Sequence, residues 1–262
     1  MKLKNIIISI TLLSCTVLFF SGCSGSANDA GTLLQMAAKE ARSGKNSDAF
    51  MLAKEACMID PGNVDALLMR AIMAERNKDK PLALDSALQA VRLVPNHFGA
   101  LYTLGRLYSY SKDTAAEAVS YLEKAHSLNP DDTNTLILLA NLSVSLKSAK
   151  ALNYLRKIES LDSEIMNTYE GATMLGHAYA IRNDKRNATI SFGKADRLGK
   201  SILSNYNYAV ALDCLYNRQK MAIPKYQLFV EKSAAHPALA SLRKDVEKRL
   251  NKIAPKTSRK RR

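Results

Sequence analysis

Small apolar residues recur along this chain at a fixed interval. Ala37/Ala49, Ala71/Ala83, Gly105/Ala118, Ala140/Ala151, Gly176/Ala188 and Ala209/Ala222 are pairs about twelve positions apart, and their second members are separated by 34, 35, 33, 37 and 34 residues. Seven residues after the repeat Ala stand Ala56, Ala90, Ala125 and Ala195, with Ile158 and Phe229 in the fourth and sixth units. A self-similar period near 34 predicts a stack of two-helix units. The small residues let the two helices of a unit approach closely. Leu104 and Leu175 in first helices, and Leu122, Leu155, Phe192 and Tyr226 in second helices, fill the space between. Turn-forming clusters divide the units: Ser43–Asn46, Arg76–Asp79, Ser111–Asp113 and Arg182–Asp184. Pro61, Pro95 and Pro130 close the first three units in the phrases MIDPGN, RLVPNH and SLNPDD, and Ser163 of SLDSEI takes that place in the fourth. Pro224 falls within the sixth unit's second helix and predicts a kink or a late start there. After the array, residues 238–253 put Leu239, Leu242, Val246, Leu250 and Ile253 on one face with charges opposite. That pattern predicts a helix sealing the last apolar face of the stack. The array is expected over 31–237 and the capping helix over 238–253.

The first 22 residues follow a different pattern. Lys2 and Lys4 precede an apolar run from Asn5 to Phe20 that is broken by Ser and Thr. A run of this length with a positive start reads as a secretory signal, since a spanning helix needs about 18 or more apolar residues. It ends in Phe20-Ser21-Gly22-Cys23, which resembles the lipobox of bacterial lipoproteins, although Leu is usual where Phe20 stands. The resemblance implies cleavage before a lipidated Cys23. Leu12-Leu13-Ser14-Cys15 is the alternative, with the usual Leu but a shorter apolar run, and ordinary cleavage leaving Cys23 a free thiol is another. Acylation at Cys23 supplies the double lipid signal that makes anchoring stable. Residues 23–30 then form a lipidated tether, of which SGSANDA reaches at most about 25 Å. Ser24 lacks the Asp associated with inner-membrane retention in enterobacteria. The expected location is therefore the outer membrane facing the periplasm, with the inner membrane as the alternative.

The net charge of +14 is uneven. Residues 240–262 carry ten Lys/Arg against Asp245 and Glu247. A nucleic-acid-binding body would carry its own basic stripe, so no nucleic acid is expected. The tail, 254–262, offers Arg259, Lys260, Arg261 and Arg262 to an anionic head-group surface or to water. Cys57 and Cys214 remain in the mature domain, 157 residues apart in an array whose units touch only their neighbours. Two buried, unpaired thiols are expected.

GKADRLGKS, from Gly193 to Ser201, looks at first like a phosphate loop. Five residues separate its glycines where the motif needs four, and the stretch before it belongs to a helix and not to a strand. His97, His126, His177 and His236 are scattered, without zinc-ligand spacing, and no Ser sits in a nucleophile elbow. No cofactor, no metal and no enzymatic activity are expected.

Leu175-Gly176, Tyr179, Ala188, Phe192 and Ala195 of the fifth unit, and Leu104-Gly105, Tyr108, Ala118, Leu122, Ala125 and Pro130 of the third, resemble the tetratricopeptide repeat (TPR) pattern. The usual Trp is absent; Leu33, Leu67, Leu101, Leu136, Ala172 and Tyr206 replace it. The resemblance covers about residues 31–237. It implies an all-α fold, a right-handed α-solenoid of about six TPR helix-turn-helix units plus a C-terminal capping helix. It also implies a concave groove of first helices that binds an extended peptide or a partner helix. Read onto this sequence, the groove residues are Arg76, Tyr102, Arg106, Tyr110, Asn141, Ser145, His177 and Asn207. Tyr and Arg are common interface anchors, and Asn amides pair with peptide backbones. The family's two-carboxylate clamp is not expected, because Leu34 and Ala38 stand where it needs Lys and Asn. The expected function is a lipid-anchored scaffold that binds protein partners in envelope assembly, for example of pilus secretins or in positioning peptidoglycan enzymes. The alternative is an anionic-polymer or membrane-surface binder acting through the basic tail.

Overall fold

The structure, a computed structural model, describes residues 29–199 and 201–254. The signal segment 1–22, Cys23, Lys200 and the tail residues Arg259–Arg262 lie outside the described residues. Among those described there is no strand, and the helices fall in pairs. Unit one is α1 (Ala30–Arg42) with α2 (Asn46–Ile59), and unit two α3 (Val64–Arg76) with α4 (Lys80–Leu93). Unit three is α5 (Phe98–Tyr108) with α6 (Ala115–Leu128), and unit four α7 (Thr133–Ser145) with α8 (Ala151–Leu161). A short helix α9 (Ser163–Met166) precedes unit five, α10 (Tyr169–Ile181) with α11 (Lys185–Leu198). Unit six pairs α12 (Ile202–Val210), prolonged by a π-turn over Ala211–Leu215, with α13 (Gln219–Ser233). A 3₁₀ turn (Pro237–Leu239) leads into α14 (Ala240–Ile253). This is the all-α solenoid with a capping helix that the period predicts. No helix among the described residues is long and apolar enough to cross a membrane.

The small pairs act as their spacing requires. All six repeat Ala and their partners Ala37, Ala71, Gly105, Ala140, Gly176 and Ala209 are buried. A Cβ on Gly105 would sit 2.7 Å from Leu122 Cγ, and one on Gly176 2.6 Å from Phe192 Cδ1. The Pro phrases end on helix caps. Asn63, His97 and Asp132, each two residues after a Pro, accept hydrogen bonds from the amides of Ala66, Ala100 and Thr135 at 3.0, 3.2 and 2.7 Å. These caps satisfy amides that a helix start leaves unpaired. The intra-unit turns of every unit but the third reuse a left-handed residue: Gly44, Lys78, Lys147, Asn183 and Asn217 all have positive φ.

Several boundaries differ from expectation, each for a local reason. The first helix opens at Ala30 and not 31, because Asp29 accepts the Thr32 amide at 2.6 Å and Ala30 is buried. The 37-residue interval, where Ser163 replaces Pro, contains the extra helix α9, capped by Asp162. Gly171 admits it: a Cβ there would meet the Ile165 carbonyl oxygen and lie 2.8 Å from Met166 Cα. Pro224 neither delays nor breaks α13, which starts five residues earlier and runs through it. The irregularity of unit six lies in its first helix. There the spacing of small residues is one longer than in unit five, and the π-turn absorbs the extra residue. The π-turn also carries Cys214, which is exposed, so of the two thiols expected to be buried Cys57 is and Cys214 is not.

Polar ties link neighbouring elements along the array. Arg76 reaches the Ala41 carbonyl at 3.3 Å. Arg106 pairs with Glu75, Lys150 and Tyr154 with Glu123, and Lys225 with Asp196. Lys194, from the stretch that looks like a phosphate loop, holds the Met166 carbonyl and Asn167 Oδ1 at 3.2 and 2.5 Å. Its ammonium therefore straps α9 to unit five. Arg249 closes the series on Asp213, docking α14 beside buried Val246.

Candidate functional site

First helices α3, α5 and α7 lie side by side, and two depressions run between them. The first, of about 550 Å³, is lined by Leu68, Ile72, Glu75 and Arg76 of α3 and by Gly99, Tyr102, Thr103 and Arg106 of α5. The second, about 220 Å³, lies between α5 and α7 and is lined by Ser109, Leu138, Asn141, Leu142 and Ser145. Leu68, Ile72 and Tyr102 give the first depression an apolar floor, with charged groups at one end. The Tyr102 ring is held parallel to Phe98, one turn earlier, at 6.1 Å between centroids. Gly99 leaves the floor open: a Cβ there would press on Leu68 Cδ1 at 3.2 Å.

The charged end is an internally satisfied cluster. Arg106 Nη1 and Nη2 donate to Glu75 Oε1 and Oε2, both at 2.6 Å, in a two-pronged pair. The Tyr110 hydroxyl donates to Glu75 Oε1 at 2.6 Å while Arg106 Nη1 lies 2.8 Å from its oxygen. Burial by itself would raise the Glu75 carboxyl, but the hydrogen bonds from Arg106 and Tyr110 outweigh it and hold the group below the ordinary glutamate range. Burial raises the Tyr102 and Tyr110 hydroxyls, so both stay neutral donors at physiological pH. The pair is about one-fifth exposed on each side, which leaves an edge accessible from the groove.

Of the residues expected in the groove, Arg76, Tyr102 and Arg106 meet in the first depression, and Asn141 and Ser145 meet in the second. Tyr110 does not lie on a first helix. It follows the end of α5, is 58% exposed, and lines a separate pocket at the turn edge. His177 and Asn207 line neither depression. The His177 ring turns edge-on to Phe192 at 5.0 Å, and burial lowers its pKa, so it packs as a neutral ring within its own unit. Glu75, Leu68 and Ile72 escaped the sequence reading. Glu75 and Arg106, 31 residues apart in consecutive first helices, form an opposite-charge pair, a signal that becomes specific only once the offset of α3 against α5 is known. Among the described residues no three His, Cys, Asp or Glu side chains converge as metal ligands.

No family model matches the sequence, and no curated protein matches it. Solved structures do. PilF of Pseudomonas aeruginosa superposes with a TM-score of 0.62 at 16% identity, over 82% of this chain and 97% of that one. A tetratricopeptide repeat protein from Parabacteroides merdae gives 0.61 at 14% identity, over 87% and 94%. YrrB, described as a TPR protein with an unusual peptide-binding site, gives 0.59 at 17%, over 69% and 92%. At these identities the likeness carries the architecture alone: the chain has the α-solenoid fold of tetratricopeptide repeat proteins.

Proposed function

We propose that this chain is a non-catalytic scaffold that holds an extended segment of a partner protein across α3, α5 and α7. The scaffold is tethered through lipidated Cys23 to the outer membrane, faces the periplasm and serves envelope assembly. The observation that carries the reading is the depression between α3 and α5. It combines the apolar floor of Leu68, Ile72 and Tyr102 with hydrogen-bonding groups at one end. An apolar anchor pocket with a few fixed polar groups is what peptide capture requires. The peptide-binding site in the name of YrrB, a protein of the same fold, supports it. The anchor and the location rest on the leader and on Ser21-Gly22-Cys23.

A photo-crosslinking amino acid placed at Ile72, Tyr102 or Asn141 in the native envelope should trap one common partner. The same group at Met58, exposed on a second helix, should not. Equal trapping from both faces would overturn the groove. Cys23→Ser should release the protein from membranes and abolish acyl labelling; retention of either would remove the anchor from the proposal. Deletion of residues 255–262 should leave groove crosslinks intact. Their loss would favour the basic tail as the binding element.

A further inference from the structure

Outside the groove, a pocket of about 330 Å³ opens at the turn edge between units two and three. Leu84 of α4, Leu107 and Tyr108 of α5, and Thr114 line it, together with Lys78, Lys80, Tyr110 and the Glu75 carboxylate. The walls are fixed in advance. Tyr108 stacks on Tyr121 of α6 at 5.7 Å with the rings 15° apart. Thr114 Oγ1 donates to the Tyr108 carbonyl at 2.6 Å and pins the turn that follows. Glu75 tethers the Tyr110 hydroxyl from below. A rigid apolar cavity demands little ordering from its ligand, and about 150 Å³ already accommodates a benzene ring. There is room here for one large side chain and the backbone that carries it.

The mouth is positive. The Glu75 carboxylate is occupied by Arg106 and Tyr110, and Asp79 is turned to the Leu82 amide as a helix cap at 3.2 Å. Among the described residues, Lys78 and Lys80 make no ion pair, and both are exposed. Lys78 also occupies the left-handed turn position, at φ 66°, where unit one has Gly44. A side chain there is disfavoured by the backbone, yet it places an ammonium at the pocket mouth.

We infer that this pocket is a second binding site, taking one large apolar side chain of a partner segment whose flanking residues are acidic. The side chain fills the space between Leu84, Leu107 and Tyr108, and the flanking carboxylates meet Lys78 and Lys80. This site shares Glu75 with the groove but opens on the turn edge and takes its own occupant.

The test uses short capped probes and methyl-labelled protein. Ac-Glu-Phe-Glu-NH2 should shift the methyl resonances of Leu84 and Leu107 saturably. Ac-Lys-Phe-Lys-NH2 and Ac-Glu-Ala-Glu-NH2 should bind at least about fivefold more weakly, and added salt should erase the advantage of the acidic flanks. Lys78→Gly combined with Lys80→Ala should keep the melting temperature, since φ suits Gly at 78, while reducing the acidic probe to the level of the basic one. Ile72→Glu, which blocks the groove, should leave every probe unaffected, so failure of either site is separately visible. Absence of saturable shifts, indifference to the sign of the flanks, or tighter binding by octanoate would overturn the inference, the last in favour of a lipid.

Discussion

Gly105 and Gly176 each sit where any side chain would strike a neighbour that cannot yield. Helix propensity favours Ala over Gly by about 1 kcal/mol, but overpacking costs about 1–3 kcal/mol, and the obstacle at Gly176 is the rigid Phe192 ring. Gly176→Ala should therefore destabilise the protein, and a urea midpoint at or above that of the parent would show that the ring has room to move. Glu75 couples stability to pH. Its carboxyl is held below the ordinary value of 4.5, so its contribution is complete above that value and is lost as the pH falls through the lower folded one. Glu75→Gln keeps the shape but removes the charge that Arg106 needs. It should cost about 1–3 kcal/mol at neutral pH and flatten the acid limb of the stability profile, with Tyr110 released as seen in its ring resonances. The same logic applies at Asp213, whose side chain is wholly buried. Hydrogen bonding from Arg249 outweighs burial and depresses it below 3.8. Docking of α14 should then be complete at neutral pH and weaken on strong acidification. Amide exchange across Ala240–Ile253, compared between the parent and Asp213→Asn, checks this; identical acid loosening in both would assign it elsewhere.

Among the elements, the short helix α9 is held between α8 and α10 through buried Met166. Gly171 lets α10 cross directly against its backbone, and Lys194 binds its last carbonyl. Gly171→Ala should expel Ser163–Met166 and make that segment the first site of limited proteolysis; a protected segment would show that α10 can shift instead. Most of the array was legible in the sequence because burying Ala at the helix contacts leaves a periodic mark. The twelve small residues, the fillers and the Pro-ended units all stand where the spacing predicts. The interval of 37 recorded the insertion only as length, since four residues carry too little pattern to announce a helix. No composition signal marks a π-turn, and unit three has the same spacing of small residues as unit six without one, so the exposure of Cys214 is not legible in the sequence. Within the groove, Arg76, Tyr102 and Arg106 could be read from repeat register. Glu75 could not, because its role depends on how far α3 is offset against α5. His177 shares the register of Arg106, yet the aromatic Phe192 beside it gives the imidazole an apolar partner within its own unit.

At the scale of the whole molecule, the buried residues form clusters drawn from consecutive units, so each unit is stabilised by its neighbours. The groove accordingly spans neighbouring first helices, and a ligand bridging α3, α5 and α7 would reinforce the coupling of units two to four. Binding should raise protection most in units two to four and leave that of α14 unchanged; uniform protection would show that coupling extends beyond neighbouring units. The far end is closed differently. Asp213 stands within the π-turn of unit six, and from there its carboxylate pairs with Arg249 of the capping helix. Deleting one residue between Ala211 and Asp213 would restore a regular helix, but would turn everything after it by about 100° and carry the carboxylate away from its arginine. The helix would be more regular locally, while the face around Ala209, Tyr226 and Phe229 lost its seal. An unsealed solenoid end is a surface that a second copy can cover. Light scattering on the deletion variant should find it self-associating, so that one backbone residue sets the number of molecules in the particle.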